Sequence, residues 1–196
     1  MTYCTIPEGS SGDWSVQRFE MTEDQAILSM IRDGPRRCPA GSYTMLRRAG
    51  RLIMSDTPAE LDDLRRFRLT ARGSVLINGL GLGIAAKMAL AKPEVTDVTV
   101  IELSSDVIAL VAPHLACDRL TVVNACAYGW KPERGRRWDT VWHDIWDDIC
   151  SDNLEGMKRL HRKYGRRSEW QGSWCRFQCE RWRSWFRVTG GCGSGR

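Results

Sequence analysis

The sequence predicts an α/β protein, a doubly wound parallel sheet with helices on both faces, preceded by a small helix and β-hairpin region. Three observations predict it. From residue 74 onward, short apolar runs (SVLIN, DVTVIEL, RLTVVNA, WDTVWHDI) alternate with segments of helical periodicity. The runs are apolar throughout rather than alternating, as strands covered on two sides must be. A glycine-rich turn, Asn78-Gly79-Leu80-Gly81-Leu82-Gly83, separates the first run from the first helical segment.

Length and composition set the frame. At 196 residues, 42% hydrophobic and 27% charged, the chain has the content of one globular domain with a sizeable core. The absence of a long apolar run argues against a membrane span, and the first residues lack a leader-like pattern, so a cytoplasmic protein is expected. Eight scattered cysteines are expected as free thiols, and Cys175-x-x-x-Cys179 is too sparse a pair to predict zinc. No metal is expected.

Residues 1–20 read as irregular. Residues 21–33 read as a helix capped by Thr22, with Gln25 completing a capping box and Ala26, Ile27, Met30 and Ile31 as its apolar stripe. Alternation in SYTMLRRAGRLIMSD predicts a hairpin turning at Ala49-Gly50. Asp56 or Thr57 caps a following helix that carries Pro58, Leu61, Leu64 and Phe67. After the glycine turn come a helix over 82–91, a helix opened by serine at SSDVIALVAPHL, and a helix at NLEGMKRLHRKYG with Leu154, Met157 and Leu160 on one face. The Trp/Arg-rich segment from Ser168 reads as a further helix, with Trp170, Trp174, Phe177 and Trp185 near one face. The organisation expected is an N-terminal extension (1–70), the main domain (71–188) and a tail (189–196).

The chemistry centres on the glycine turn. Glycines permit a tight bend and close backbone approach by a ligand, and the helix that follows offers free N–H groups and the positive end of a dipole. Glu102 ends the next strand 23 residues after Gly79, where a doubly wound fold places a carboxylate beside a cofactor ribose. Counted from Gly79, the sixth residue is Ile84, which departs from the dinucleotide fingerprint, where glycine or alanine is wanted. His143 and Asp144 are neighbours at the end of a strand and should point to opposite faces, with His143 a buried, satisfied histidine.

The segment from Val75 to Ile149 resembles the class I S-adenosylmethionine (AdoMet)-dependent methyltransferase superfamily, and within it the spermidine-synthase-like branch. VLINGLGLG resembles that branch's strand and glycine loop, VTVIEL its ribose-binding strand, and WDTVWHDIWDD its Tyr-Asp-Val-Ile-x-x-Asp-x-x-Asp signature. The resemblance implies a Rossmann-like, methyltransferase-like domain, C-terminally shortened, and AdoMet or its decarboxylated form as cofactor. It implies a cofactor-contact set of Asn78, Gly79, Gly81, Gly83, Glu102, Leu103, Ala125, Cys126 and Asp144. It also implies catalytic roles for Asp144, in place of the aspartate that takes a proton from an attacking amine, and for Asp147 as the second acid. Cys126 stands where methyltransferases often carry an adenine-binding aspartate.

The function expected is methyl transfer to an unspecified acceptor. Aminopropyl transfer is the first alternative, and a non-enzymatic AdoMet- or nucleic-acid-binding module the second. A small-molecule acceptor is the expected partner. Trp182, Trp185 and the neighbouring arginines admit nucleic acid, and an exposed sheet edge admits a homodimer. Trp142 and Trp146 flank the site, either as stacking surfaces or as core.

Overall fold

The computed structural model describes residues 4–181. Two sheets share one core. An antiparallel sheet is built from β1 (Gly9–Ser11), β2 (Trp14–Met21), β3 (Gly41–Arg48) and β4 (Arg51–Ser55), paired in that order. A parallel sheet contains β5 (Gly73–Asn78), β6 (Val95–Glu102), β7 (Leu120–Asn124), β8 (Trp138–His143) and β9 (Ser168–Ser173), in the spatial order β7-β6-β5-β8-β9. This is the doubly wound order, reversing direction between β5 and β8.

The parallel strands form for the reason their composition suggests. Val75, Leu76, Ile77 and Asn78 are all buried, so β5 is covered on both faces. One face carries α3 (Arg65–Thr70), α4 (Ile84–Leu90) and α5 (Ser105–Val111), which bury Phe67, Ala85, Met88, Ala89, Val107 and Val111. The other carries α6 (Asn153–Tyr164), which buries Leu160 and Tyr164 against Leu76, Ile101 and Val141. Asp152 makes no side-chain cap for α6, so burial holds this helix in place. Leu154, Met157, Leu160 and Tyr164 contribute roughly 1.5–3 kcal/mol each, against about 1 kcal/mol for a cap. Ser104 caps α5 through the Val107 N–H.

Several expectations are met. The capping box at α1 (Glu23–Asp33) is complete: Thr22 Oγ1 accepts from Gln25 N and Gln25 Oε1 accepts from Thr22 N. The hairpin turns at Ala49-Gly50, both with positive φ.

Others are corrected. Residues 1–20, read as irregular, contain β1 and most of β2. Their alternation is masked because Val16 is the one fully buried side chain of β2, while Phe19 packs on Tyr43 across the opposite face. The stripe of α1 is not a core face, for Ile27, Met30 and Ile31 are exposed and Ser29 is the buried residue. Asp56 is not a helix cap. It is buried, with its two oxygens accepting the N–H groups of Cys4 and Thr44. Thr57 is the N-cap residue of α2 (Pro58–Asp63) but makes no side-chain cap bond, and the single expected helix breaks at Leu64 into α2 and α3. The segment from Ser168, read as helix, begins as β9, an edge strand paired with β8. Trp170 on β9 stacks on Trp142 of β8, with ring centroids 6.3 Å apart and planes within 3°. Trp182, Trp185 and the tail 189–196 lie outside the described residues. Among the described residues no helix is long and apolar enough to cross a membrane.

Candidate functional site

The strand order creates a crevice at the carboxyl ends of β5, β6, β7 and β8, where a doubly wound sheet binds ligands. A cavity of about 610 Å³ lies there, within the range of small-molecule sites. Its floor is Gly79, Leu80 and Gly81 after β5, Glu102 to Asp106 after β6, Cys126 to Tyr128 after β7, and Asp144 to Asp147 after β8. The antiparallel sheet supplies the facing wall with Trp14, Leu46, Arg48, Ile53 and Met54, and α2 adds Glu60.

The glycine turn is held tightly. Gly79, Gly81 and Gly83 all have positive φ, at 100°, 51° and 72°. A Cβ on Gly79 would lie 1.8 Å from the backbone oxygen of Asp144, so glycine lets the turn press against the end of β8. A Cβ on Gly83 would meet Leu115, and one on Gly81 the sulfur of Met54. Gly79 N donates to Ile101 O at 2.8 Å and Gly83 N to Leu80 O at 2.8 Å. The turn opens α4, which is only seven residues long.

Glu102 bridges the turn and its own strand end. Its Oε2 accepts from Leu80 N and its Oε1 from Ser104 N, both at 2.8 Å. Each oxygen keeps a further lone pair for a ligand hydroxyl.

Asp144 is fixed through its backbone, whose N–H donates to Asn78 O at 2.7 Å. Its half-buried side chain lines the cavity. Burial, with the Glu60 and Asp63 carboxylates nearby, pushes its carboxyl up to about 7. That value suits a proton acceptor at neutral pH. Glu60 is likewise pushed up by burial, and it accepts from Ser55 N and Ser55 Oγ. Asp147 is exposed at the rim beside Asp148, which pairs with Arg51 from the hairpin.

His143 faces the opposite side of the sheet from Asp144. It is fully buried, with Nδ1 2.9 Å from Asn78 Nδ2 and Nε2 3.2 Å from Gln171 Oε1. With the Asn78 amide donating, the ring carries its proton on Nε2. Burial drives its pKa down to about 3, so it is neutral. Trp142 belongs to the core against Phe67, while Trp146 reaches the cavity wall.

Of the residues singled out from sequence, the structure brings Gly79, Gly81, Glu102, Leu103, Cys126, Asp144 and Asp147 onto one cavity wall. Asn78, Gly83 and Ala125 lie outside that wall. Asn78 is turned to His143, and Gly83 packs toward Leu115 and Val111. Sequence reasoning missed Asp13, Trp14, Met54, Glu60, Asp106, Tyr128 and Trp174. For Glu60 a signal existed, since Thr57-x-x-Glu60 has capping-box spacing, but its carboxylate goes to Ser55 instead.

No family model matches the chain, and no curated protein matches it. Solved structures similar to it include the spermidine synthase of Thermotoga maritima (14% identity, TM-score 0.47, covering 80% of this chain and 52% of that one). They also include an S-adenosylmethionine-dependent methyltransferase from Mesorhizobium loti (17% identity, TM-score 0.43, covering 56% of this chain and 50% of that one). The chain spans about half the length of these structures. The strand order and the crevice it forms identify the fold itself: the parallel sheet is Rossmann-like, and the cavity lies at its switch point.

Proposed function

We propose that the chain is an AdoMet-dependent methyltransferase acting on a small molecule through an amine nucleophile. The observation that carries this reading is the placement of Glu102 and Asp144 on either side of the Gly79–Gly81 turn in one cavity. The cavity fits such a cofactor. Its wall carries the carboxylates of Asp13, Glu60, Glu102, Asp106, Asp144 and Asp147 against the single guanidinium of Arg48, a balance that favours a cationic ligand. The Glu102 oxygens would hold the ribose hydroxyls, and Gly79 and Gly81 leave the backbone open to close approach. When bound, AdoMet supplies an electrophilic methyl carbon on a sulfonium.

The chain's own residues do the rest. The cavity wall aligns the acceptor, and positioning of this kind supplies most of the acceleration expected for a methyl transfer. Asp144, near neutrality, accepts the proton that an amine sheds as it forms its new bond. Trp14, Tyr128, Trp146 and Trp174 on the wall limit water and offer aromatic faces to a cationic acceptor.

Aminopropyl transfer from decarboxylated AdoMet is the second reading, and the same six carboxylates favour it, because they also suit a polycationic acceptor. Calorimetry with AdoMet, decarboxylated AdoMet and NAD separates the two. Preference for AdoMet supports methyl transfer and preference for the decarboxylated form supports the second reading. Binding of NAD alone, or of none of the three, overturns both.

A further inference from the structure

A second cleft, apart from the strand-end cavity, is lined by Tyr128, Glu155, Gly156, Arg159 and Arg162. Four of these lie on α6, while Tyr128, on the loop after β7, lines both spaces. Gly156 makes room for the shared wall. A Cβ there would stand 2.3 Å from Tyr128 Oη and 3.3 Å from Trp146 Nε1, so a residue that weakens a helix interior lets both rings close against α6. Lys163 donates to the backbone oxygens of Ala127, Tyr128 and Trp130 and so ties the loop to the helix. That cation is thereby committed, whereas those of the cleft are not. The Arg159 guanidinium lies over the Tyr128 ring, 4.8 Å from its centroid. Arg162 follows by three residues, so two exposed guanidiniums are neighbours on one helix face. Among the described residues neither is held in an ion pair, and Glu155, the one acid lining the cleft, pairs with Lys158.

The two spaces therefore adjoin and carry opposite charge, carboxylates on one side of Tyr128 and guanidiniums on the other. A ligand that spans them is cationic at one end and anionic at the other. A phosphate monoester carries roughly two negative charges and three strong acceptor oxygens, enough to engage both arginines, whereas a carboxylate brings a single charge. Arginine suits this task, because its planar fork donates paired N–H groups to phosphate and still stacks on an aromatic ring. We infer that the cleft is a phosphate subsite for the acceptor, a small amine bearing a phosphate monoester, with the amine toward Asp144 and the phosphate on Arg159 and Arg162. The acceptor's role rests on the methyl-transfer reading, while the phosphate site rests on the cleft alone.

The test titrates aminopentyl phosphate and aminopentanol, which share an amine and differ in the phosphate, by calorimetry at low salt with and without S-adenosylhomocysteine. Wild type should bind the phosphate roughly tenfold more tightly than the alcohol, and Arg159→Gln/Arg162→Gln should bind the two alike with its affinity for the alcohol unchanged. Arg134→Gln/Arg166→Gln, which removes the same charge from exposed arginines outside the cleft, should keep the preference. No preference in wild type, its survival in Arg159→Gln/Arg162→Gln, or its equal loss in both double variants would overturn the subsite. A single-stranded oligodeoxyadenylate decamer that displaces aminopentyl phosphate at lower concentration would put a nucleic-acid backbone there and overturn the small acceptor. Failure of S-adenosylhomocysteine to bind, with the phosphate preference intact, would overturn the AdoMet reading and leave the cleft standing.

Discussion

The carboxylate of Glu102 lies 2.8 Å from the backbone nitrogen of Leu80, so the acid that ends one strand clasps the turn that ends its neighbour. One side chain thus shapes the turn and presents its remaining lone pairs to the cavity. Glu102→Ala should weaken nucleoside binding by about 1.5–3 kcal/mol, the scale of charge-assisted hydrogen bonds. Calorimetry with S-adenosylhomocysteine measures it, and an unchanged affinity would remove Glu102 from the site.

Gly79 and Gly81 should respond unequally to alanine. Both pay for a positive φ, about 1–2 kcal/mol. At Gly81 the added carbon meets the flexible sulfur of Met54, whereas at Gly79 it meets the backbone oxygen of Asp144, which moves only with β8. Gly79→Ala should therefore lose about 3 kcal/mol or more, beyond Gly81→Ala, in denaturant titration. The reverse order would show that the turn and β8 do not abut as described.

Asp144 predicts a pH dependence of turnover. With its carboxyl near 7, methyl transfer to an amine should rise with pH through that region and level off above it. Asp144→Asn should retain nucleoside binding and reduce turnover by about 10²–10⁴-fold, the usual contribution of a general base. Full turnover in that variant would exclude proton transfer to Asp144.

Stability against pH should show two opposed slopes. Asp144 is raised in the fold from 3.8 to about 7, so it holds a proton more tightly than the unfolded chain does. Its contribution is full below about pH 4 and is lost as pH rises through 7. His143 and His161 are lowered from 6.5 to about 3 and about 4 by burial, so their contribution is full above 6.5 and is lost as pH falls toward those values. Asp144→Asn should therefore make the chain relatively more stable at pH 8 than wild type and steepen its decline between pH 6 and 4. Melting temperatures across pH 4–8 check both signs.

The sequence was most legible where local chemistry and tertiary burial agree. The strands β5, β6 and β8 read as continuous apolar runs because both their faces are covered, and the Thr22–Gln25 box closes with no help from packing. The opposed aims of His143 and Asp144 follow from strand geometry alone. Legibility failed where one long-range partner decides. β9, with the polar sequence SEWQGS, is a strand because β8 lies beside it and Trp142 receives Trp170. α1 has the periodicity of a buried helix yet exposes Ile27, Met30 and Ile31. In the site, Glu102 and Asp144 are marked by their position at strand ends. Met54, Glu60 and Trp14 reach the cavity from an antiparallel sheet whose docking no local pattern announces.

The two walls of the cavity come from distant stretches of chain, residues 13–64 on one side and mainly 79–147 on the other. Neither stretch encloses any space alone. The enclosure therefore requires both sheets to be in place, and it depends on contacts between residues scores of positions apart in the chain. A nick or insertion at the Ala49-Gly50 hairpin would spare the parallel sheet and still leave its strand ends facing water.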